Sequence, residues 1–182
     1  MPTKLPEDLK IAVLGLGYVG LPLALSFSRH FPVTGFDISE EKINSLKSFK
    51  DPSNEVAETD LKKSKIRLSA DSKDISDANV YIVTVPTPVD SNKRPNLNPI
   101  INASELIGKH LQEDNLVIYE STVFPGATEE ICVPVLEKVS GLKFNKDFFC
   151  GYSPERINPS DKVHTLEKIV KVTSGSTKEI GE

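Results

Sequence analysis

The chain has 182 residues, a 38% hydrophobic content, a formal net charge of −4 and two cysteines, which suits one well-packed domain and leaves little room for a second. Its charges form no long blocks, so nothing electrostatic points to nucleic acid or an anionic membrane as partner. Neither an N-terminal apolar core of signal-peptide length nor a bilayer-spanning run is present, and a cytoplasmic protein is expected.

In chain order, an apolar strand at Ile11 to Leu14 leads into Gly15, Gly17 and Gly20 and then into an apolar helix predicted over Leu21 to Phe31. A dinucleotide site needs that order. The first glycine permits a tight turn, the second lets backbone approach a pyrophosphate, and the third lets the helix pack close to the strand. The phosphates then meet unpaired N–H groups at the positive end of a helix dipole, with no Lys or Arg required. A second strand, Val33 to Phe36, ends in Asp37. A carboxylate about 20 residues past the glycines can accept hydrogen bonds from ribose hydroxyls and repel a 2′-phosphate, which favours NAD over NADP. Asp37 also stands three residues before Glu40, so a helix N-cap is the competing reading. Lys42, one turn further, either leans over the same ribose or is a solvated helix lysine.

Further strands are predicted at Ile66 to Leu68, Val80 to Val85, Leu116 to Tyr119, Phe148 to Gly151 and Ile169 to Val172, with helices over 98–111 and 128–139. Lys62, Lys63 and Lys65 read as a solvated helix end. Alternating apolar strands and amphipathic helices predict an α/β, doubly wound, mostly parallel sheet of Rossmann-like type, whose ligand lies beyond the strand ends where strand order reverses. The segment 86–99 is rich in turn formers and too long for a minimal connection, so its start, with Thr87, is a candidate functional loop.

Ser121 and Thr122 follow the fifth strand before Pro125 and Gly126. Their hydroxyls either orient a substrate or water beside a nicotinamide or cap the next helix. After the sixth strand, Pro154 presents Glu155 and Arg156 at the same rim, as a general base and an anion grip or as a surface ion pair. Cys132 and Cys150 lack metal-ligand spacing and read as buried free thiols, and His30, His110 and His164 read as structural or solvated. No metal site is expected. Ser174 to Thr177 looks like a helix start with only five residues after it, which leads to the expectation that 182 residues are the front part of a longer polypeptide.

Gly-Leu-Gly-Tyr-Val-Gly-Leu-Pro at 15–22, Asp37 with Lys42, Thr87-Pro88, Ser-Thr-Val-x-Pro-Gly-x-Thr at 121–128 and Ser-Pro-Glu-Arg at 153–156 together resemble the UDP-glucose/GDP-mannose dehydrogenase family. The likeness covers essentially the whole chain, as an N-terminal NAD-binding domain at 1–182 without the central helical and C-terminal sugar-nucleotide domains. The Ser-Pro-Glu-Arg-Ile-Asn-Pro run is more similar to the bacterial branch acting on UDP-N-acetylhexosamines for surface polysaccharide or capsule synthesis. UDP-glucose dehydrogenases usually carry Pro-Glu-Phe-Leu-Ala-Glu-Gly there, a pattern from which Arg156 and Pro159 depart.

The resemblance implies an oxidoreductase that takes the sugar C6 alcohol to a carboxylate through two hydride transfers and an enzyme-bound thiohemiacetal and thioester. It implies that Gly15, Gly17, Tyr18, Val19 and Gly20 hold the pyrophosphate, Asp37 and Lys42 the ribose, and that Thr87 sits by the cofactor. Thr122 would position the substrate oxygen or a water, Glu155 would help activate water, and Glu155 with Arg156 would contact the UDP-sugar. The nucleophilic cysteine lies outside these residues, so the isolated chain is expected to be inactive and monomeric, and the full-length parent a homo-oligomer. A non-catalytic NAD(H)-sensing module and the NAD domain of a hydroxy-acid dehydrogenase are the alternatives.

Overall fold

A computed structural model describes residues 8–155 and 170–181. Its strands are β1 (Ile11–Leu14), β2 (Val33–Phe36), β3 (Arg67–Ser69), β4 (Val80–Val83), β5 (Asn115–Tyr119), β6 (Phe148–Tyr152) and β7 (Ser174–Gly175). They form one sheet in the order β3-β2-β1-β4-β5-β6-β7, parallel except for β7 at the edge. The helices are α1 (Gly20–Ser28), α2 (Glu40–Lys47), α3 (Glu58–Lys63), α4 (Asn98–Gly108), α5 (Val133–Ser140) and the short α6 (Lys178–Gly181).

A sheet covered on both faces needs apolar side chains on both, and every residue of β1 and of β4 is buried. Strand alternation divides them between two cores. Ala12, Leu14, Tyr81 and Val83 pack with Ile100, Ile107, Val133 and Leu136 from the α4 and α5 side. Ile11, Val13, Val80 and Ile82 pack on the other face with Leu21, Leu25, Ile43, Leu46 and Leu61 from α1, α2 and α3. Local chemistry fixes where the helices begin and end. Ser39 caps α2 by accepting the Lys42 N–H at 3.2 Å, with Glu40 and Glu41 in the first turn favouring its positive end. A proline stands in the first turn of α4, and α5 stops at Gly141 with φ +76°.

Strand order reverses beside β1, which pairs with β2 on one side and β4 on the other. Leu14 is level with both Phe36 and Val83. The residues that follow, Gly15, Asp37 and Thr84, therefore leave the sheet at one edge, where a doubly wound fold binds its ligands.

The fold class read from sequence is the one observed, and the differences lie at element ends. Residue 169 of the expected strand at 169–172 lies outside the described residues, and Val170, Lys171 and Val172 are not in a strand. Pairing comes later and antiparallel, Gly151 with Gly175 and Tyr152 with Ser174. The valines there face solvent while Lys171 turns inward to Glu120, an ion pair that the apolar pattern could not reveal. The expected helix start at Ser174 is thus β7, and the helix begins at Lys178, with Thr177 Oγ1 accepting the Ile180 N–H at 3.4 Å. The helix expected at 128–139 opens as a π-helical turn, Thr128–Cys132, before α5. Lys62 and Lys63 do end a helix, with Lys62 paired to Glu58 one turn earlier.

Ile107 is fully buried between α4 and the sheet. Ile107→Ala is expected to cost about 2–5 kcal/mol in urea unfolding, and a loss under about 1 kcal/mol would contradict this packing.

Candidate functional site

The turn after β1 is shaped by three glycines with three different surroundings. Gly15 has φ +96°, a region other residues avoid, and a Cβ on it would come within 3.1 Å of the Thr84 carbonyl. A Cβ on Gly20 would stand 1.9 Å from Gly15 O and 2.3 Å from Thr84 Oγ1, so α1 approaches β1 and β4 as closely as backbone permits. Thr84 holds this junction, its Oγ1 lying 2.7 Å from Gly15 O and 3.0 Å from Leu14 O. Gly17 differs, since a Cβ there would meet nothing within 4 Å. It faces a cavity of about 370 Å³ lined also by Tyr18, Val19, Thr87, Thr122 and Glu155. No side chain caps α1 and its first turn carries no acidic residue. The Leu21 N–H already bonds Gly17 O at 3.1 Å and Pro22 has no N–H, so the donors offered to an anion beside position 17 are those of the turn itself, at Gly17, Tyr18 and Val19.

Asp37 is 6% exposed. Its Oδ2 accepts the Leu16 N–H at 2.9 Å and Lys42 Nζ at 2.6 Å, and its Oδ1 accepts the Ser39 N–H at 3.0 Å. Ser39, not Asp37, is the N-cap of α2, so the capping reading of Asp37 does not hold. Two backbone donors fix the carboxylate, and Lys42, its side-chain donor, is the partner that an incoming hydroxyl could replace. Both residues also line a second, more apolar cavity of about 540 Å³, flanked by Ile38, Asn98, Asn102 and Leu106. Gly15, Val85 and Pro86 border both cavities. A ligand with two flat groups joined by an anionic bridge matches that arrangement.

At the far end, the strands β4, β5 and β6 deliver polar groups. Among the described residues Thr87 Oγ1 and Ser153 Oγ are buried and have no hydrogen-bond partner, a costly state unless a ligand supplies one. Ser121 Oγ donates to Val85 O at 2.7 Å, tying the ends of β5 and β4 together, while Thr122 is exposed and lines the cavity. Neither hydroxyl caps the following helix, which starts without a side-chain cap. Glu120, 6% exposed, also lines the cavity and accepts a bond from Lys171 Nζ. Burial pushes its carboxyl up, Lys171 pulls it back, and Glu155 pushes it up again.

The structure thus brings Gly15, Gly17, Tyr18, Val19, Asp37, Lys42, Thr87, Thr122 and Glu155 to one cavity, while Gly20 stands behind it as a packing residue. Arg156 and His164 lie outside the described residues. The sequence reading missed Glu120, Lys171 and Thr84. Glu120 directly precedes Ser121 and could have been suspected as a charge ending an apolar strand. Lys171 lies 51 residues from its partner and left no local signal. Cys132 and Cys150 are buried, and burial pushes both thiols up, so neither is a ready thiolate nucleophile. Among the described residues no group of three His, Cys, Asp or Glu could hold a metal ion, and no helix is long and apolar enough to cross a membrane.

Residues 9–181 match the model of the UDP-glucose/GDP-mannose dehydrogenase family, NAD binding domain. The chain belongs to this family. It is 58% identical over 177 residues, 97% of its length and 42% of the relative's, to a UDP-N-acetyl-D-glucosamine 6-dehydrogenase of Pseudomonas aeruginosa. It is 56% identical over 94% of its length and 41% of the other's to protein CapL of Staphylococcus aureus. Among solved structures, the NDP-N-acetyl-D-galactosaminuronic acid dehydrogenase of Methanosarcina mazei superposes with TM-score 0.86 at 30% identity, covering 96% of this chain and 40% of that one. The chain spans about two fifths of the length of the curated relatives it matches. Its cofactor is NAD, as the matched domain states, and the glycine turn, the orphaned Thr87 hydroxyl and the two joined cavities fit that molecule.

Gly17 and Gly20 separate ligand space from packing space. Gly17→Ala should change stability by less than about 0.5 kcal/mol, as surface substitutions do, yet weaken NAD binding at least about tenfold by filling the anion space. Gly20→Ala should lose about 1–3 kcal/mol or more through overpacking. Urea unfolding and calorimetric titration of both variants check the contrast, and equal effects on folding would contradict it.

Proposed function

We propose that this chain is the NAD-holding part of a UDP-N-acetylhexosamine 6-dehydrogenase, which oxidises the C6 alcohol of the sugar to the uronic acid. The reading rests above all on the 58% identity, across 97% of the chain, to a UDP-N-acetyl-D-glucosamine 6-dehydrogenase. It extends to this chain the oxidation named for that relative.

In this reading Gly15, whose own N–H bonds Phe36 O, makes the turn around the pyrophosphate, the N–H groups of Gly17, Tyr18 and Val19 bind it, Gly20 keeps α1 close enough to aim them, and Asp37 and Lys42 take the adenosine ribose. The cavity beside Ile38, Asn98 and Leu106 takes the adenine. Thr87 stands by the nicotinamide half. Bound NAD supplies the hydride acceptor for the alcohol carbon. Thr122 orients the substrate oxygen or a water, Glu155 holds a proton for the hydrolytic step, and Glu155 with Arg156 contacts the UDP-sugar. The nucleophilic thiol belongs to a further domain of a longer enzyme, because both cysteines here are sealed in the core.

Two outcomes are expected. Asp37→Ala should lose about 1.5–3 kcal/mol of NAD affinity, the range for hydrogen bonds to a charged group, with NADP weaker than NAD in the native chain. Calorimetry with both coenzymes decides this, and an unchanged NAD affinity would remove Asp37 from the ribose. The chain mixed with NAD and UDP-N-acetylglucosamine should show no sustained rise in reduced-nicotinamide absorbance, since covalent catalysis needs the thiolate. Continuous turnover would refute the division of labour between domains.

A further inference from the structure

The charges around the cavity are unevenly placed. At the β2 end Asp37 and Lys42 both line it and neutralise each other at 2.6 Å. Among the described residues, the charged groups that line the β5 and β6 end are the carboxyls of Glu120 and Glu155. Three strand spacings separate β2 from β5 in the sheet, about 14 Å, which suits the span of an extended dinucleotide.

Glu120 is the better buried of the two carboxyls and its position is fixed. Its backbone N–H donates to Val83 O at 2.8 Å, holding it level with the end of β4. Its partner Lys171 has a side chain 19% exposed and is not among the residues that line the cavity. The pair therefore presents its negative member to the cavity, with the ammonium set behind it. Burial opposes the carboxylate charge, Lys171 sustains it, and Glu155 adds like charge from the β6 side. A cation arriving in the cavity would relieve that combination, and a neutral group of the same shape would not.

Resting on the placement of NAD given above, we propose that Glu120, backed by Lys171, selects the redox state of the coenzyme. Its carboxylate faces the nicotinamide end and favours the oxidised form, whose ring is a cation, over the reduced form, whose ring is neutral. Reduction of the ring then removes an attraction, so the site loosens its hold on the product coenzyme. A purely structural role, pinning residues 170–173 to the end of β5, would leave the two redox forms equally affected by mutation.

Calorimetric titration of the native chain and of Glu120→Gln with NAD+, NADH and ADP-ribose tests this. The native chain should bind NAD+ about tenfold more tightly than NADH, equivalent to about 1.4 kcal/mol. Glu120→Gln should bring that ratio to within about twofold of unity while ADP-ribose, which lacks the ring, keeps its affinity within about twofold. A ratio that is the same in both proteins overturns the proposal, as does a native chain that binds NADH as tightly as NAD+, a result that needs no variant to fold. Native protein that binds ADP-ribose but does not distinguish the two redox forms removes this inference alone. Native protein that binds none of the three ligands removes the NAD placement with it.

Discussion

The space between α1 and the end of β1 is the constraint on which the site depends. A Cβ at position 20 would lie 1.9 Å from a carbonyl oxygen, so only glycine allows the helix to begin where it does. Thr84 reinforces this closeness from β4, bonding the carbonyls of Leu14 and Gly15. With the helix held there, its uncapped N-terminus opens on the cavity and Gly17 leaves the entry clear. Had α1 started further from β1, the anion would meet solvent-exposed amides instead of a lined pocket, and the helix dipole would act through water at a higher effective dielectric.

A second consequence follows from the level ends of β1, β2 and β4. The same register that places Gly15 beside Thr84 places Asp37 beside Leu16, whose N–H fixes the carboxylate. The Asp37 carboxylate and the amides of the glycine turn are therefore held by one piece of backbone. The polar groups of the far end come instead from β4, β5 and β6. Those strands are tied by the Ser121 bond to Val85 and by the Ser153 N–H bond to Tyr119 O. The two halves of the cavity rest on different strand pairs joined through β4, which allows the coenzyme half and the reacting half to differ in polarity without disturbing the sheet.

Much of this was legible in the chain because it is local. The strands β1 and β2 have the bounds that their apolar runs suggest, and the glycine spacing and Asp37 declare a dinucleotide site within 25 residues of one another. Thr87, Thr122 and Glu155 could be expected to line one cavity because each follows a strand at the end where a doubly wound sheet binds ligand. What stayed hidden is non-local. The pairing of Glu120 with Lys171 depends on a chain return that reverses direction at β7, and antiparallel pairing of two residues leaves no apolar period to detect. Asp37 was ambiguous for another reason. Spacing to Glu40 suits a cap, and only the fold shows that Ser39 takes that role and releases the carboxylate for other bonds.

The central claim is that backbone amides of the glycine turn receive the diphosphate. Amide-resolved NMR of the labelled chain during titration with NAD measures this directly. The largest shifts should fall on the N–H groups of Gly17, Tyr18 and Val19, follow one saturation curve with Asp37, and leave α3, which lines neither cavity, still. Saturable binding with an unmoved glycine turn would contradict it.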